Sequence, residues 1–513
     1  MAQQIAKHPL DPYRFTVHWG TFPQAAFERI QNPPLCSYYI ALVSKTVGWS
    51  EPALHVAFLL WSVLAVLGTF AIARQLLNAR TPGTLMSHGR EFSAVTGGSQ
   101  TFNAALLTLF TPVFLVSATN LMCDVMMLAL WIWSIELWLR GLERQRFTLL
   151  VFSAVLIAAT TLTKYFGIAL VPLLATYTIV KSRAERARYA LPLCLLLIPI
   201  ICTIAFELWT KSLYGRGLIA DAMLYTRTVG RGSMPAQFII SLAFLGGSIF
   251  VPMLFLFCRP FHWVAIAIFA TVAVAAFFLM PMTSEWQLGA NEPFVRVEGG
   301  LFIAIGVGII ALAFADLVQR RSAESCLLFL WVTGALVFVA CFNWSITART
   351  VLPVVPVTAI LLSRRWKIQY WQIISAGVVS AIIAFADFCE ANVVREAVHS
   401  FEQRFRAEPG KIWFQSHWGF QYYMEQWGAT PLNSRDSEIT SGDVMIVPAN
   451  NVDVVAIPPE RIFKPEVLSF RVLPLISTGG LGTGAGFYSH VRGPIPWAIS
   501  RVPPERFYVA RFR

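Results

Sequence analysis

The side chain best suited to chemistry in this sequence is a carboxylate. Asp124 lies in Ser117-Ala118-Thr119-Asn120-Leu121-Met122-Cys123-Asp124, at one end of an apolar stretch. A carboxylate at the centre of a membrane-crossing helix costs roughly 2.5–3.5 kcal/mol and less near the ends, so such residues are kept for a function or a partner. Asn120 precedes it by four residues, a spacing that puts both on one helical face and lets the amide orient the carboxylate. A structural aspartate paired with a neighbouring helix is the bland alternative.

Cations accompany it. Lys164 sits in Thr160-Thr161-Leu162-Thr163-Lys164-Tyr165-Phe166-Gly167, a tight turn between two apolar stretches. It either snorkels to headgroups or faces a polar pocket with the threonines. Arg349, in Asn343-Trp344-Ser345-Ile346-Thr347-Ala348-Arg349, is the one basic residue of its loop. A guanidinium there can hold a phosphate with paired N–H donors, or anchor the chain at the interface. The stretch 211–236 carries Lys211, Arg216, Asp221, Arg227 and Arg231 and is read as a loop whose charges serve an anionic ligand, or simply face solvent. Asn32-Pro33-Pro34 gives a rigid entry to an aromatic segment, with the Asn32 side chain free to bind or to cap a helix.

One carboxylate with several cations suggests a reaction. A carboxylate can deprotonate a hydroxyl while cations stabilise a phosphate leaving group. A lipid phosphate carrying a sugar would need this arrangement at a membrane edge. No Walker loop, dinucleotide fingerprint or zinc spacing is present, so soluble nucleotide donors gain no support.

The elements that position these residues are membrane helices. The chain has 513 residues, 56% hydrophobic and only 13% charged. A soluble domain carries about twice that charge fraction. Apolar segments fall at about 53–77, 101–117, 120–139, 147–162, 165–181, 189–210, 237–257, 262–281, 300–319, 326–342, 350–363 and 370–388. Alternate loops hold sixteen Lys and Arg, among them Arg80, Arg90, Arg186, Arg188 and Arg259, against seven in the opposite loops. The richer side is cytoplasmic by the positive-inside rule, which also accounts for the net charge of +12 without nucleic acid. Asp124, Lys164, Arg349 and residues 1–50 then face outward. The eight cysteines are scattered and read as small hydrophobes.

The expected fold is an all-α polytopic bundle of about 12 transmembrane helices with a small extracytoplasmic α/β domain at the C-terminus. Residues 1–52 form an extracytoplasmic segment with an interfacial helix, 53–390 the transmembrane domain and 391–513 the outer domain. No signal peptide opens the chain.

With these residues in hand, the sequence resembles the lipid-linked-sugar glycosyltransferases of the GT-C superfamily. It is most similar to the bacterial branch of the protein O-mannosyltransferase and aminoarabinose transferase group. The resemblance rests on His8-Pro9-Leu10-Asp11-Pro12-Tyr13, on Asn32-Pro33-Pro34-Leu35 with Tyr38-Tyr39, and on Asn120 to Asp124. It continues in Thr163-Lys164-Tyr165 and in Arg349 with Leu352-Pro353 and Pro356. It covers about residues 1–390 in pattern and order.

The resemblance implies a multi-pass enzyme of the bacterial inner membrane. It implies a polyprenyl-phosphate-linked sugar as donor, attack by a hydroxyl acceptor (protein, lipid or glycan) on the outer side, and inversion at the sugar carbon. Asp124 matches an acidic residue of the family's second outer loop and is taken as catalytic. Asn32, Asn120, Lys164, Tyr165, Arg216, Arg227 and Arg349 are taken as substrate-binding. No cofactor follows, and a divalent cation stays open. The family normally opens with a helix leading into an acidic pair that supplies the general base. The chain is expected to lack that first helix, through a misplaced start or truncation. A transporter or flippase of a lipid-linked saccharide, or an inactive truncated homologue, are the competing readings.

Overall fold

The computed structural model describes residues 1–78, 94–185, 190–228, 232–251, 262–452 and 454–513. Arg80, Arg90, Arg186, Arg188, Arg231, Arg259 and Cys258 lie outside the described residues. The chain begins with two short helices, α1 (Ala2–Lys7) and α2 (Ala26–Arg29), on either side of a small hairpin of β1 (Thr16–Val17) and β2 (Gln24–Ala25). The segment expected to form an interfacial helix folds as the helix α3 (Leu35–Val47).

Helices then run back and forth: α4 (Glu51–Asn78), α5 (Ala94–Leu109), α6 (Pro112–Ala118), α7 (Cys123–Glu143), α8 (Phe147–Thr163), α9 (Leu170–Glu185), α10 (Ala190–Leu195), α11 (Leu197–Tyr214), α12 (Leu218–Thr228), α13 (Met234–Ile249), α14 (His262–Leu279), α15 (Glu292–Arg320), α16 (Ala323–Cys341), α17 (Val354–Arg365) and α18 (Tyr370–Phe405). Among the described residues, seven continuous helices are long and apolar enough to cross a membrane. The pair α5–α6, bent by 65°, makes an eighth crossing if taken together.

Each of the twelve apolar segments corresponds to one of these crossings or to a shorter helix. The short segment at 101–117 is the bent pair, broken where Pro112 lacks an N–H for the ladder. The short segment at 350–363 is a 3-10 turn followed by the twelve-residue α17. The stretch 211–236 is not a plain loop, because α11 runs to Tyr214 and α12 fills half of the remainder. The stretch 282–298 is likewise mostly ordered, since α15 begins at Glu292.

Close backbone contact fixes the centre of the bundle. Gly246 of α13 lies against the Phe302 carbonyl of α15, and Gly306 of α15 lies against the Leu242 carbonyl of α13. A Cβ at either would strike backbone, so only glycine permits this approach. Trp131, Phe166 and Trp331 fill the interior between the two faces, with ring centroids 5.2 and 6.3 Å apart. The seven described cysteines are free thiols, but only Cys36 is buried and Cys194 is exposed, so burial does not account for all of them.

Helix α18 continues without a break past residue 390 and carries a five-stranded sheet. Its strand order is β4-β3-β5-β9-β6, formed by β3 (Ile412–Phe414), β4 (Thr430–Pro431), β5 (Val444–Pro448), β6 (Glu466–Phe470) and β9 (Glu505–Arg511). The strands β3, β4 and β5 are parallel and β9 is antiparallel to both its neighbours. Helix α19 (Trp418–Trp427) packs with α18 against this sheet through Phe401, Phe414, Phe420 and Phe507.

The segment between β6 and β9 leaves the sheet and holds a second hairpin, β7 (Ile476–Ser477) with β8 (Ala498–Ile499). It returns to the bundle. Phe487 accepts a backbone hydrogen bond from Ala348 at 2.9 Å, and the Trp497 indole donates to the Gly247 carbonyl at 2.8 Å.

Candidate functional site

Three backbone devices bring the charged residues together. Asp124 is in the first turn of α7, where a negative charge complements the helix dipole. Lys164 terminates α8 in an extended conformation (φ −155°, ψ 129°). The chain then folds back so tightly that a Cβ on Gly167 would strike the Thr160 and Thr161 backbone, and the Gly167 N–H donates to the Lys164 carbonyl at 2.8 Å. Arg349 sits in the 3-10 turn Ala348–Val351, where Thr347 and Thr350 cap each other's backbone N–H.

The outcome is a buried carboxylate held by two cations. The Lys164 ammonium is 2.6 Å from one oxygen of Asp124, and the Arg349 guanidinium is 3.0 Å from the other. The Asp124 side chain is 2% exposed, Lys164 21% and Arg349 13%. Both carboxylate oxygens are occupied, so Asp124 orients two cations rather than presenting a free oxygen. The triplet carries a net charge of one cation. Arg349 Nη1 also touches the Met122 sulfur, while its Nε is buried with no hydrogen-bond partner.

A second cluster joins the first through Arg349. The guanidinium stacks over the Tyr488 ring, 5.3 Å from its centroid. The Tyr488 hydroxyl donates to Asp387, at 3.1 and 3.0 Å from its two oxygens. Burial, and next the Asp387 charge, push the Tyr488 phenol well above its ordinary value, so it stays a neutral donor. Thr478 bridges Asp387 (2.7 Å) and Glu390 (3.0 Å) through its hydroxyl, and its backbone N–H also faces Glu390. One hydroxyl proton serves only one of these carboxylates at a time.

The remaining sequence candidates fall elsewhere. Asn120 does not share a helix with Asp124, because α6 ends at Ala118 and α7 begins at Cys123. Its amide folds the turn, donating to the Val116 carbonyl at 3.3 Å and accepting from the Met122 N–H at 3.2 Å, and it also borders Tyr488. Tyr165 follows Lys164 but points into a separate cluster with Tyr13 and Phe206, its hydroxyl buried without a partner. Asn32 is exposed and caps no helix; its carbonyl accepts from the Tyr13 hydroxyl at 2.6 Å. Arg216 pairs with Asp221 at 2.5 Å in the turn leading into α12, and Arg227 is exposed near the end of that helix. Among the described residues, no hydrogen bond or ion pair links Asn32, Arg216 or Arg227 to Asp124.

An apolar groove of about 390 Å³ is lined by Pro34, Leu35 and Tyr38 at the start of α3, by Leu162 of α8, two residues before Lys164, and by Phe206 and Trp209 of α11. Among the described residues, no three His, Cys, Asp or Glu side chains converge in a way that could hold a metal ion.

Residues 92–209 match the model of the dolichyl-phosphate-mannose-protein mannosyltransferase family. The matched stretch contains Asn120, Asp124, Lys164 and Tyr165, and it is the same group of enzymes that the sequence resembles. No curated protein matches the chain. Among solved structures, one similar chain is the archaeal oligosaccharyltransferase AglB from Archaeoglobus fulgidus, in complex with an inhibitory peptide and a dolichol-phosphate. It is 14% identical at a TM-score of 0.43, over 85% of this chain and 59% of AglB, so the chain spans less than two thirds of AglB's length. Another is ArnT from Cupriavidus metallidurans in the apo state, 13% identical at a TM-score of 0.41, over 88% of this chain and 87% of ArnT.

Proposed function

We propose that the chain transfers a sugar from a polyprenyl-phosphate donor to a hydroxyl acceptor at the membrane face that carries Asp124. The observation that carries this reading is the Lys164–Asp124–Arg349 triplet: two partly buried cations held in place by one buried carboxylate, with a guanidinium Nε left unpartnered. Such a site is preorganised for an anion that gains charge during reaction. The acceptor oxygen attacks the anomeric carbon from the side opposite the phosphate. The carbon–oxygen bond to phosphate breaks, and its electron pair leaves on the phosphate between Lys164 and Arg349. The acceptor proton passes to a carboxylate. The Asp387–Glu390 pair, reached from Arg349 through Tyr488, is the candidate receiver.

In this reading Asp124 is a positioning residue, and Lys164 and Arg349 touch the phosphate. The apolar groove at Pro34, Leu162 and Phe206 takes the first isoprene units of the donor. The positive-inside pattern supports an extracytoplasmic acceptor side. A flippase would need a polar path between the two faces, whereas tryptophan and phenylalanine pack that interior.

Binding of polyprenyl monophosphate to the full chain in nanodiscs tests the assignment. Lys164→Met and Arg349→Met are each expected to weaken binding by about 10-fold or more, the scale of a charge-assisted phosphate contact. Unchanged binding in both variants would remove the phosphate site from this place.

A further inference from the structure

Helix α7 has a second charged end. Arg144 follows Asp124 by twenty residues, about 30 Å along the helix axis, so the two mark opposite faces of the bundle. At that far end lies a pocket of about 440 Å³ between the ends of α4, α7 and α9 and the start of α16. Arg74, Arg140, Arg144 and Lys181 line it.

Only part of this charge is compensated. Arg140 is paired with the buried Glu136, and Lys181 is 3.8 Å from Glu324. Glu143, also in the lining, accepts from the Gln75 amide at 3.0 Å. Arg74 and Arg144 line the pocket, are exposed and form no close ion pair with any described residue, although the Arg144 charge also acts on Glu136, which Arg140 already pairs. Two unpaired guanidinium forks at one pocket match the oxygens of a phosphate. The pocket lies about one hydrocarbon thickness, about 30 Å, along α7 from Asp124, and basic pockets between membrane helices at such ends hold anionic headgroups.

We infer that this pocket binds a phosphate-bearing anion through Arg74 and Arg144, on the face opposite the Lys164–Asp124–Arg349 triplet. The inference is independent of the proposed transfer reaction. The ligand is a lipid phosphodiester or a soluble phosphate, and the two are separable by experiment. The ordinary surplus of arginine at a membrane edge predicts no difference between residues inside and outside the pocket. Arg183, exposed on α9 and outside the lining, serves as the internal control.

The test uses the full chain in nanodiscs of phosphatidylcholine with phosphatidylglycerol, with retained lipids counted by native mass spectrometry. Wild type is expected to retain phosphatidylglycerol selectively. The double variant Arg74→Gln/Arg144→Gln is expected to lose about 25-fold in retention, roughly fivefold for each arginine. Arg144→Lys, which keeps the charge but not the fork, should lose only part of it, and Arg183→Gln should match wild type. In a second arm, inorganic phosphate is added in phosphatidylcholine alone. A rise in thermal midpoint that the double variant lacks identifies a soluble phosphate, and selective lipid retention without that rise identifies the headgroup. Equal retention of both lipids with no response to phosphate overturns the inference, as does a loss in Arg183→Gln equal to that of the double variant.

Discussion

Replacing Asp124 by asparagine keeps the shape of the side chain and removes its charge. In the native site Lys164 and Arg349 each bind a different oxygen of this carboxylate, at 2.6 and 3.0 Å. Without it, two cations face each other at a separation on the order of 6 Å, and at an effective dielectric of about 20 they repel by about 3 kcal/mol. Removing one partner of a buried ion pair costs about 3–5 kcal/mol for the same reason, the charge left behind. Asp124→Asn should therefore destabilise the chain by about 3–5 kcal/mol. Lys164→Met in the same chain removes the repulsion along with the lysine, so the double variant should lose at least about 1.5 kcal/mol less than the sum of the singles. Equilibrium unfolding in mixed micelles measures all four corners of this cycle. Turnover gives a second readout: Asp124→Asn should lower kcat by about 100-fold, because the cations are no longer aimed at the phosphate. Strict additivity of the two substitutions, or a cost below about 1 kcal/mol for Asp124→Asn, would refute the triplet.

Arg349→Lys should keep the charge but lose the stack on Tyr488 and the planar guanidinium that reaches Asp124 through Nη1, lowering kcat/KM by about 10-fold or more in a donor titration. In the C-terminal domain, burial raises the Glu505 carboxyl from its ordinary value to about 7. The folded form then holds a proton that the unfolded form has released between about pH 4.5 and 7, so this group's contribution to stability should fall as pH rises through that window and level off above it. Glu505→Gln should make the fall across the window shallower than in wild type, read from thermal midpoints of the full chain. Gly246→Ala should cost about 1–3 kcal/mol, since the added methyl meets the Phe302 backbone rather than a movable side chain, and a drop in thermal midpoint checks it.

Much of the bundle was legible because membrane helices announce themselves by length. Asp124 and Lys164 were legible for a related reason: a charged group at the end of an apolar stretch is conspicuous. Their pairing was not, because the two residues are forty apart and meet only through the α7–α8 hairpin. The Asn120–Asp124 spacing misled, since four residues imply a shared helical face only where the helix is unbroken, and a turn separates α6 from α7. Arg216 and Arg227 looked like ligand residues in a loop, but a helix there gives Arg216 a local partner in Asp221.

Asp387 and Glu390 carried the same signal as Asp124, carboxylates at the end of an apolar run and three residues apart on one face, and deserved the same weight. Thr478 and Tyr488 carried none. They sit in a glycine-rich stretch with no period, and only the return of the segment between β6 and β9 to the bundle brings them to Arg349.

The most direct test of the central claim is the stoichiometry of products in proteoliposomes given a labelled polyprenyl-phosphate sugar and a hydroxyl acceptor. One polyprenyl monophosphate should be released for each glycoside formed, with both products lost together in Lys164→Met and Arg349→Met. Intact donor appearing in the opposite leaflet, with no monophosphate released, would contradict it.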